Sequence, residues 1–184
     1  VRATLPHPLG PDSDVIFIDG GNIFDAYAIS EQSTEHDIDS ENVLNRIHLS
    51  RAFTYHQLTS LITDKLPSAI TEFSAKLAVI SDINQLYCDP DIRGKDKQDA
   101  LRTFTKAGRS LADLAEQKAA LIVATNLEPR DVRMQRVLTR SVHVTAKFEE
   151  SGTLTRFTLI KHPWIPQRNI TMTQIGLQTL ESYL

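Results

Sequence analysis

Three apolar runs of strand length, "DVIFI" (14–18), "KLAVISDI" (76–83) and "AALIVATN" (119–126), are separated by stretches of helical periodicity, and this alternation constrains the fold more than any other feature. A run that is apolar at every position suits a strand buried on both faces. Strands that alternate with helices pair in parallel, because a parallel return needs a long crossover. "NRIHLSRAF" (45–53) supplies a further strand, with Thr54 placed to cap a helix over about 55–73 whose inner face is Leu58, Leu61, Ile62 and Leu66; Pro67 is expected to kink or divide it. A short helix is expected over 22–30, and a longer one over about 98–117 with Leu101, Phe104, Leu111, Leu114 and Ala115 turned inward.

The last third reads differently. "SVHVTAKF" (141–148) and "TLTRFTLI" (153–160) alternate around Glu150-Ser151-Gly152, which signals a β-hairpin added to the edge of the parallel sheet. Pro6, Pro8 and Pro11 make residues 1–13 an extended lead-in, "KHPWIP" ends regular strand structure, and 167–184 read as a tail with a helix over 173–183. The expected fold is one α/β domain over 1–184 with its core in 14–166. It has a mainly parallel central sheet, helices on both faces in three layers, and a C-terminal antiparallel hairpin extension.

With 184 residues, 41% hydrophobic and 23% charged, the chain has the composition of an ordinary globular domain, and no apolar run approaches the roughly 18 residues of a membrane span. A single cysteine, Cys88, excludes an internal disulfide, and the N-terminus has no basic region followed by an apolar core, so a reducing cytoplasmic setting is expected. The net charge of −3 is unevenly spread. Residues 3–45 hold nine acidic side chains and no Lys or Arg; 92–109 are locally +4 and 128–147 are +3.

"FIDGGNIFD" (17–25) raises the main chemical question. Its Asp19 and Asp25, with Asp82 and Asp89 or Asp91, are candidates for a carboxylate cluster that holds a divalent metal for phosphodiester cleavage, and the stretch is similar to the first block of NYN/PIN-type nucleases. The plainer reading of Asp19 is a strand-end carboxylate bonded to loop N–H groups. His48, His56, His143 and His162 lack the spacing of a metal site, Trp164 reads as a packing anchor, and Cys88 has no partner that would make it a nucleophile.

Five blocks in order carry a broader resemblance. "FIDGGNIFD", "RIHLSRAFTYHQLTSLI", "KLAVISDINQLY", "LADLAEQKAALIVATN" and "FTLIKHPWIP" together resemble the core of the RecA/RadA recombinase superfamily over about residues 15–166. The resemblance implies a RecA-like fold and a part in DNA recombination or repair. The departures from the pattern bear on catalysis. No Gly-rich phosphate loop is present, since Gly94-Lys95 is followed by Asp96 and preceded by Asp89 where a glycine is required. Gly21 stands where the family has its water-activating glutamate; the Walker B aspartate position is Ser81, with Asp82 one place later, and Leu127 replaces a glutamine after Thr125-Asn126.

These losses imply a paralogue without ATPase activity, with no catalytic or nucleotide-binding residues and no cofactor. Only 14 residues precede Val15, too few for a strand, phosphate loop and helix; an alternative, left open because the sequence does not begin with Met, places that loop upstream of Val1. The family's two DNA-contacting loops fall on the basic segments. The resemblance therefore nominates Arg93, Lys95 and Lys97 on the first loop, and Arg130, Arg133 and Arg136 on or beside the second, for phosphate contacts with single- or double-stranded DNA. A recombinase or a second copy of the chain is the implied protein partner, and no membrane is involved.

Overall fold

A computed structural model describes residues 1–127 and 131–173. Contacts divide the chain into two compact units, Val1–Gln135 and Arg136–Leu184. The first is α/β. Its strands β1 (Val15–Asp19), β2 (Ile47–Arg51), β3 (Leu77–Ser81) and β4 (Leu121–Ala124) form one parallel sheet in the order β2-β1-β3-β4, flanked by helices. The apolar runs become parallel strands because each crossover contains a helix: α1 (Ala26–Glu35) and α2 (Ser40–Asn45) after β1, α3 (Tyr55–Ser60) and α4 (Leu66–Glu72) after β2, and α5 (Lys95–Lys118) after β3. The core includes Ile18, Leu58, Ile62, Leu66, Ile80 and Phe104, each at most 2% exposed. Phe104 meets the buried ring of Tyr87 edge-on, with centroids 4.9 Å apart.

Side chain to backbone bonds move several boundaries away from those that periodicity suggests. The first helix starts at Ala26, because the Asp25 carboxylate caps it by accepting from the Tyr27 and Ala28 N–H groups. α2 is an unexpected element, started by Asp39 in the same way. Thr54 caps α3 as expected, through a bond from the Gln57 N–H. The helix expected over 55–73 is divided just before Pro67: residues 61–65 form one wider π turn between α3 and α4, with the Leu66 N–H reaching the Leu61 carbonyl, and α4 resumes with the proline in its first turn. A proline cannot donate to the carbonyl four residues back and its ring crowds that carbonyl, so a wide turn just before it relieves both problems.

The lead-in is folded back rather than extended. A 3-10 turn at Arg2–Thr4, a turn from Pro6 to Gly10, and bonds from Asp12 N–H to Leu5 O and Ser13 N–H to Ala3 O close it on itself. A Cβ at Gly10 would lie 2.2 Å from the Arg2 carbonyl oxygen, so only glycine fits that approach. Arg46 pins the segment, donating to Asp14, to Asp12 and to the Thr4 carbonyl.

In the second unit β5 (Thr145–Ser151), β6 (Leu154–Lys161) and β7 (Arg168–Thr173) form a separate antiparallel sheet in the order β5-β6-β7. The hairpin expected around residues 150–152 is present, with Gly152 at φ +61° in its turn. It is not added to the edge of the parallel sheet: β6 pairs on its other side with β7, a strand in the stretch read as a tail. The unforeseen α6 (Val132–Ser141) ends on the first residue of the segment taken for a strand, and the strand itself begins only at Thr145. Lys161 donates its ammonium protons to the Thr139, Arg140 and Val142 carbonyls where that helix ends. The helix expected over 173–183 lies outside the described residues.

Truncating a ring in the core should be costly and truncating an edge side chain should not. Phe104→Ala is expected to lower the unfolding free energy by about 3–5 kcal/mol, whereas Leu121→Ala on the exposed face of β4 should change it by about 0.5 kcal/mol or less. Urea titration of both variants measures the difference.

Candidate functional site

Parallel register brings three strand ends into one cluster. Asp19 lies opposite Arg51 on one side and Ser81 on the other, so all three side chains emerge on the same face at the carboxyl ends of β2, β1 and β3. The chain leaves β1 toward one neighbour and returns on the other side as β3, which makes this a topological switch point, the usual crevice for ligands in open α/β sheets.

Asp19 is fully buried, and both of its oxygens are engaged. Oδ1 accepts from the Ser81 hydroxyl at 2.7 Å and the Ile23 N–H at 3.0 Å. Oδ2 accepts from the Phe24 N–H at 3.2 Å and from the Arg51 guanidinium at 3.1–3.2 Å. Ser81 Oγ in turn accepts from the N–H groups of Gly20 and Gly21 at 3.1 and 3.2 Å. One carboxylate and one hydroxyl therefore satisfy four of the five backbone donors of loop 20–24. Burial pushes the Asp19 carboxyl up, but the bonds from Ser81, Ile23, Phe24 and Arg51 outweigh it and hold the group below the ordinary carboxylate range.

The two glycines have a steric reason. A Cβ at Gly20 would lie 2.8 Å from the Ser81 carbonyl oxygen, and one at Gly21 would lie 2.9 Å from Asp82 Cβ. The loop after β1 thus runs against the segment after β3. Residue 21, where the family resemblance calls for a glutamate, faces Asp82 with no room for a side chain unless the backbone shifts. Asp82 is buried and takes a positive φ of 38°, and its N–H donates to Thr125 Oγ at 3.0 Å, linking the ends of β3 and β4.

Of the acidic residues proposed as metal ligands, Asp19, Asp25 and Asp89 accept hydrogen bonds within the protein. Asp25 caps α1, Asp89 accepts from the Asp91 N–H, and among the described residues no three His, Cys, Asp or Glu side chains stand close enough to hold a metal ion. Of the nominated cations, Arg93 lies in the loop before α5 and is exposed. Lys95 and Lys97 lie in the first turn of α5 rather than on a loop, because that helix begins at Lys95 after Gly94 at φ +56°. Arg133 and Arg136 are exposed on α6, Arg133 paired with Asp131 at 3.0 Å; Arg130 lies outside the described residues. Trp164 is 87% exposed and not a packing anchor, while Leu127 is exposed after β4.

Sequence reading missed Arg51 and the second role of Ser81. Their signal was register, which becomes visible only when the parallel partners are known.

Because the Asp19 pKa is depressed in the folded state, its stabilisation is fully present above the unfolded carboxylate pKa of about 3.9 and is lost as pH falls through the lower folded value. Asp19→Asn should cost about 3 kcal/mol at neutral pH and should lose less stability than the wild type on acidification below about pH 4. Parallel slopes for the two proteins in an acid series of urea unfolding curves would show that Asp19 is not the linked group.

No helix among the described residues is long and apolar enough to cross a membrane. The model of the Rad51 family matches residues 1–142 of the chain, a stretch that contains the whole parallel sheet and the Asp19 cluster. The matched region carries the α/β fold and four of the five ordered blocks that resemble the recombinase core, and the chain therefore belongs to the Rad51 family, with a role in DNA recombination and repair.

Proposed function

We propose that this chain is a non-catalytic accessory member of its family, which holds DNA by phosphate contacts and does not turn over ATP. The observation that carries this reading is the Asp19 cluster: at the switch point, where a water-activating carboxylate would act, Asp19 is bonded to structural donors and Gly21 has no side chain. The DNA contacts are assigned to Arg93, Lys95, Lys97, Arg130, Arg133 and Arg136. Lysines in the first turn of α5 oppose the positive end of the helix dipole, a local cost of about 0.3–1 kcal/mol each at low ionic strength. A surface that keeps such charges in place supports an anionic partner over plain solvation. Contacts of this kind read no sequence and serve single- or double-stranded DNA alike. Rad51-family domains commonly self-associate, so a recombinase or a second copy of this chain is the protein partner.

A second reading keeps nucleotide binding, through a phosphate loop upstream of Val1. It is favoured by β4, a four-residue strand apolar at every position that nevertheless forms the open edge of the sheet, with Leu121 64% exposed. The other edge, β2, carries His48, Ser50 and Arg51, as a solvent-facing edge usually does. A strand added beside β4 would cover that edge, but Gly21 would still leave hydrolysis without its carboxylate.

Titration of labelled single- and double-stranded oligonucleotides at two salt concentrations tests the first reading. Wild-type affinity should fall steeply with salt, and the triple variant Arg93→Ala, Lys95→Ala, Lys97→Ala should reduce the log–log slope by about 2–3. An unchanged slope removes the assigned contacts, and release of phosphate from ATP above the buffer rate removes the non-catalytic half of the reading.

A further inference from the structure

Charge is divided between the two units. Residues 136–184 hold six basic side chains against three acidic ones, a net of +3, so that the first 135 residues carry −6 of the overall −3. Within that acidic first unit one groove is basic. It lies along α5, beside the start of α4, with a volume of about 800 Å³, and it is lined by Arg102, Lys106, Arg109 and Lys118 with a single carboxylate, Asp113. That volume is in the range of small-molecule sites.

Three of the cations form a stripe. Arg102, Lys106 and Arg109 follow one another at spacings of four and three, which puts them on one face of α5 over about 10 Å of its axis. Like charges at those spacings repel and destabilise a helix. Arg102 is relieved by Asp99 at 2.6 Å. Asp64, on the π turn that α5 packs against, feels the charge of Lys106, but its oxygens accept from the Ser60 and Thr63 hydroxyls. Arg109 has no hydrogen-bond or ion-pair partner among the described residues.

The stripe is also bounded. Asp113 stands one turn beyond Arg109 on the same face, and Asp99 one turn before Arg102. Past Asp113, the Lys118 ammonium is turned to α4, where it donates to Thr71 Oγ1 at 2.8 Å. A long polyanion laid along α5 would therefore meet a carboxylate near either end, whereas an anion with its charges spread over about 10 Å would meet the cations alone. Phosphoryl oxygens are strong acceptors for guanidinium and ammonium groups. We infer that this groove binds an oligophosphate, a short chain of phosphoryl groups that is free or borne by a nucleotide, with Lys106 and Arg109 as its main contacts and Arg102 beside them. The groove contains none of the strand-end residues around Asp19 and none of the loop cations Arg93, Lys95 and Lys97, so it is separate from both the switch point and the DNA contacts proposed above.

The test is calorimetric titration of the full chain with pyrophosphate, tripolyphosphate, a longer linear polyphosphate, ATP and AMP. Affinity should rise from pyrophosphate to tripolyphosphate and gain little beyond it. Lys106→Gln and Arg109→Gln, at exposed positions where folding is checked by thermal melting, should each weaken tripolyphosphate binding roughly tenfold. Asp113→Asn should tighten the longer chain more than tripolyphosphate, and the triple variant Arg93→Ala, Lys95→Ala, Lys97→Ala should bind as the wild type does. AMP should bind far more weakly than ATP. ATP binding tighter than tripolyphosphate would name a nucleoside triphosphate as the occupant, and equal affinities would name the phosphate chain alone. No binding of tripolyphosphate, wild-type affinity in both glutamine variants, AMP as tight as ATP, or a steep rise that continues with chain length would overturn the site. So would weakened oligonucleotide binding in Lys106→Gln that tripolyphosphate does not compete with, which would give the groove to nucleic acid.

Discussion

The carboxylate of Asp19 organises the carboxyl end of the sheet. It is buried, and a buried charge is tolerable only when it is paired and hydrogen-bonded. Here the Arg51 guanidinium supplies the opposite charge, and Ser81 with two backbone N–H groups supplies the remaining bonds. Those partners come from β2, β3 and the loop after β1, so one side chain couples three segments far apart in sequence. The dependence also runs the other way, because without Asp19 and Ser81 most donors of loop 20–24 would have no protein acceptor. Unmade bonds of this kind cost more than the made ones contribute.

Much of this architecture was legible in the sequence, for a definite reason. The runs around Ile16 and Val79 are apolar at every position, a pattern set by burial on two faces that does not depend on which strands become neighbours, and the run around Val123 reads the same way although β4 stays partly exposed. Neighbours and register are non-local. Hence Asp19 was visible as a strand-end carboxylate bonded to its loop, while Arg51 was not visible as its counter-ion. Boundaries failed where a single side chain overrides periodicity, as with the Asp25 cap of α1, or where a proline is accommodated by a wide turn, as at Pro67. The second unit was the least legible: β6 has the alternation of a hairpin strand, but nothing local told that its other edge pairs with β7 rather than joining the parallel sheet.

The two units divide the physical work. The acidic first unit holds the ordered cluster and the polar edge at β2; the basic second unit holds a small antiparallel sheet on which Phe148 is exposed. A net charge of −3 for the whole chain hides this division, so an average over the chain says little about what either part attracts.

The close passage of Gly21 against Asp82 limits what can stand at residue 21. A carboxylate at residue 21 is not one substitution away in any useful sense, because its Cβ would collide with the segment after β3 before its oxygens reached a water. Placing a carboxylate there requires the loop to move outward, and the loop is held by Asp19 and Ser81. The contacts that satisfy the donors at the strand ends thus also decide which side chain residue 21 can carry.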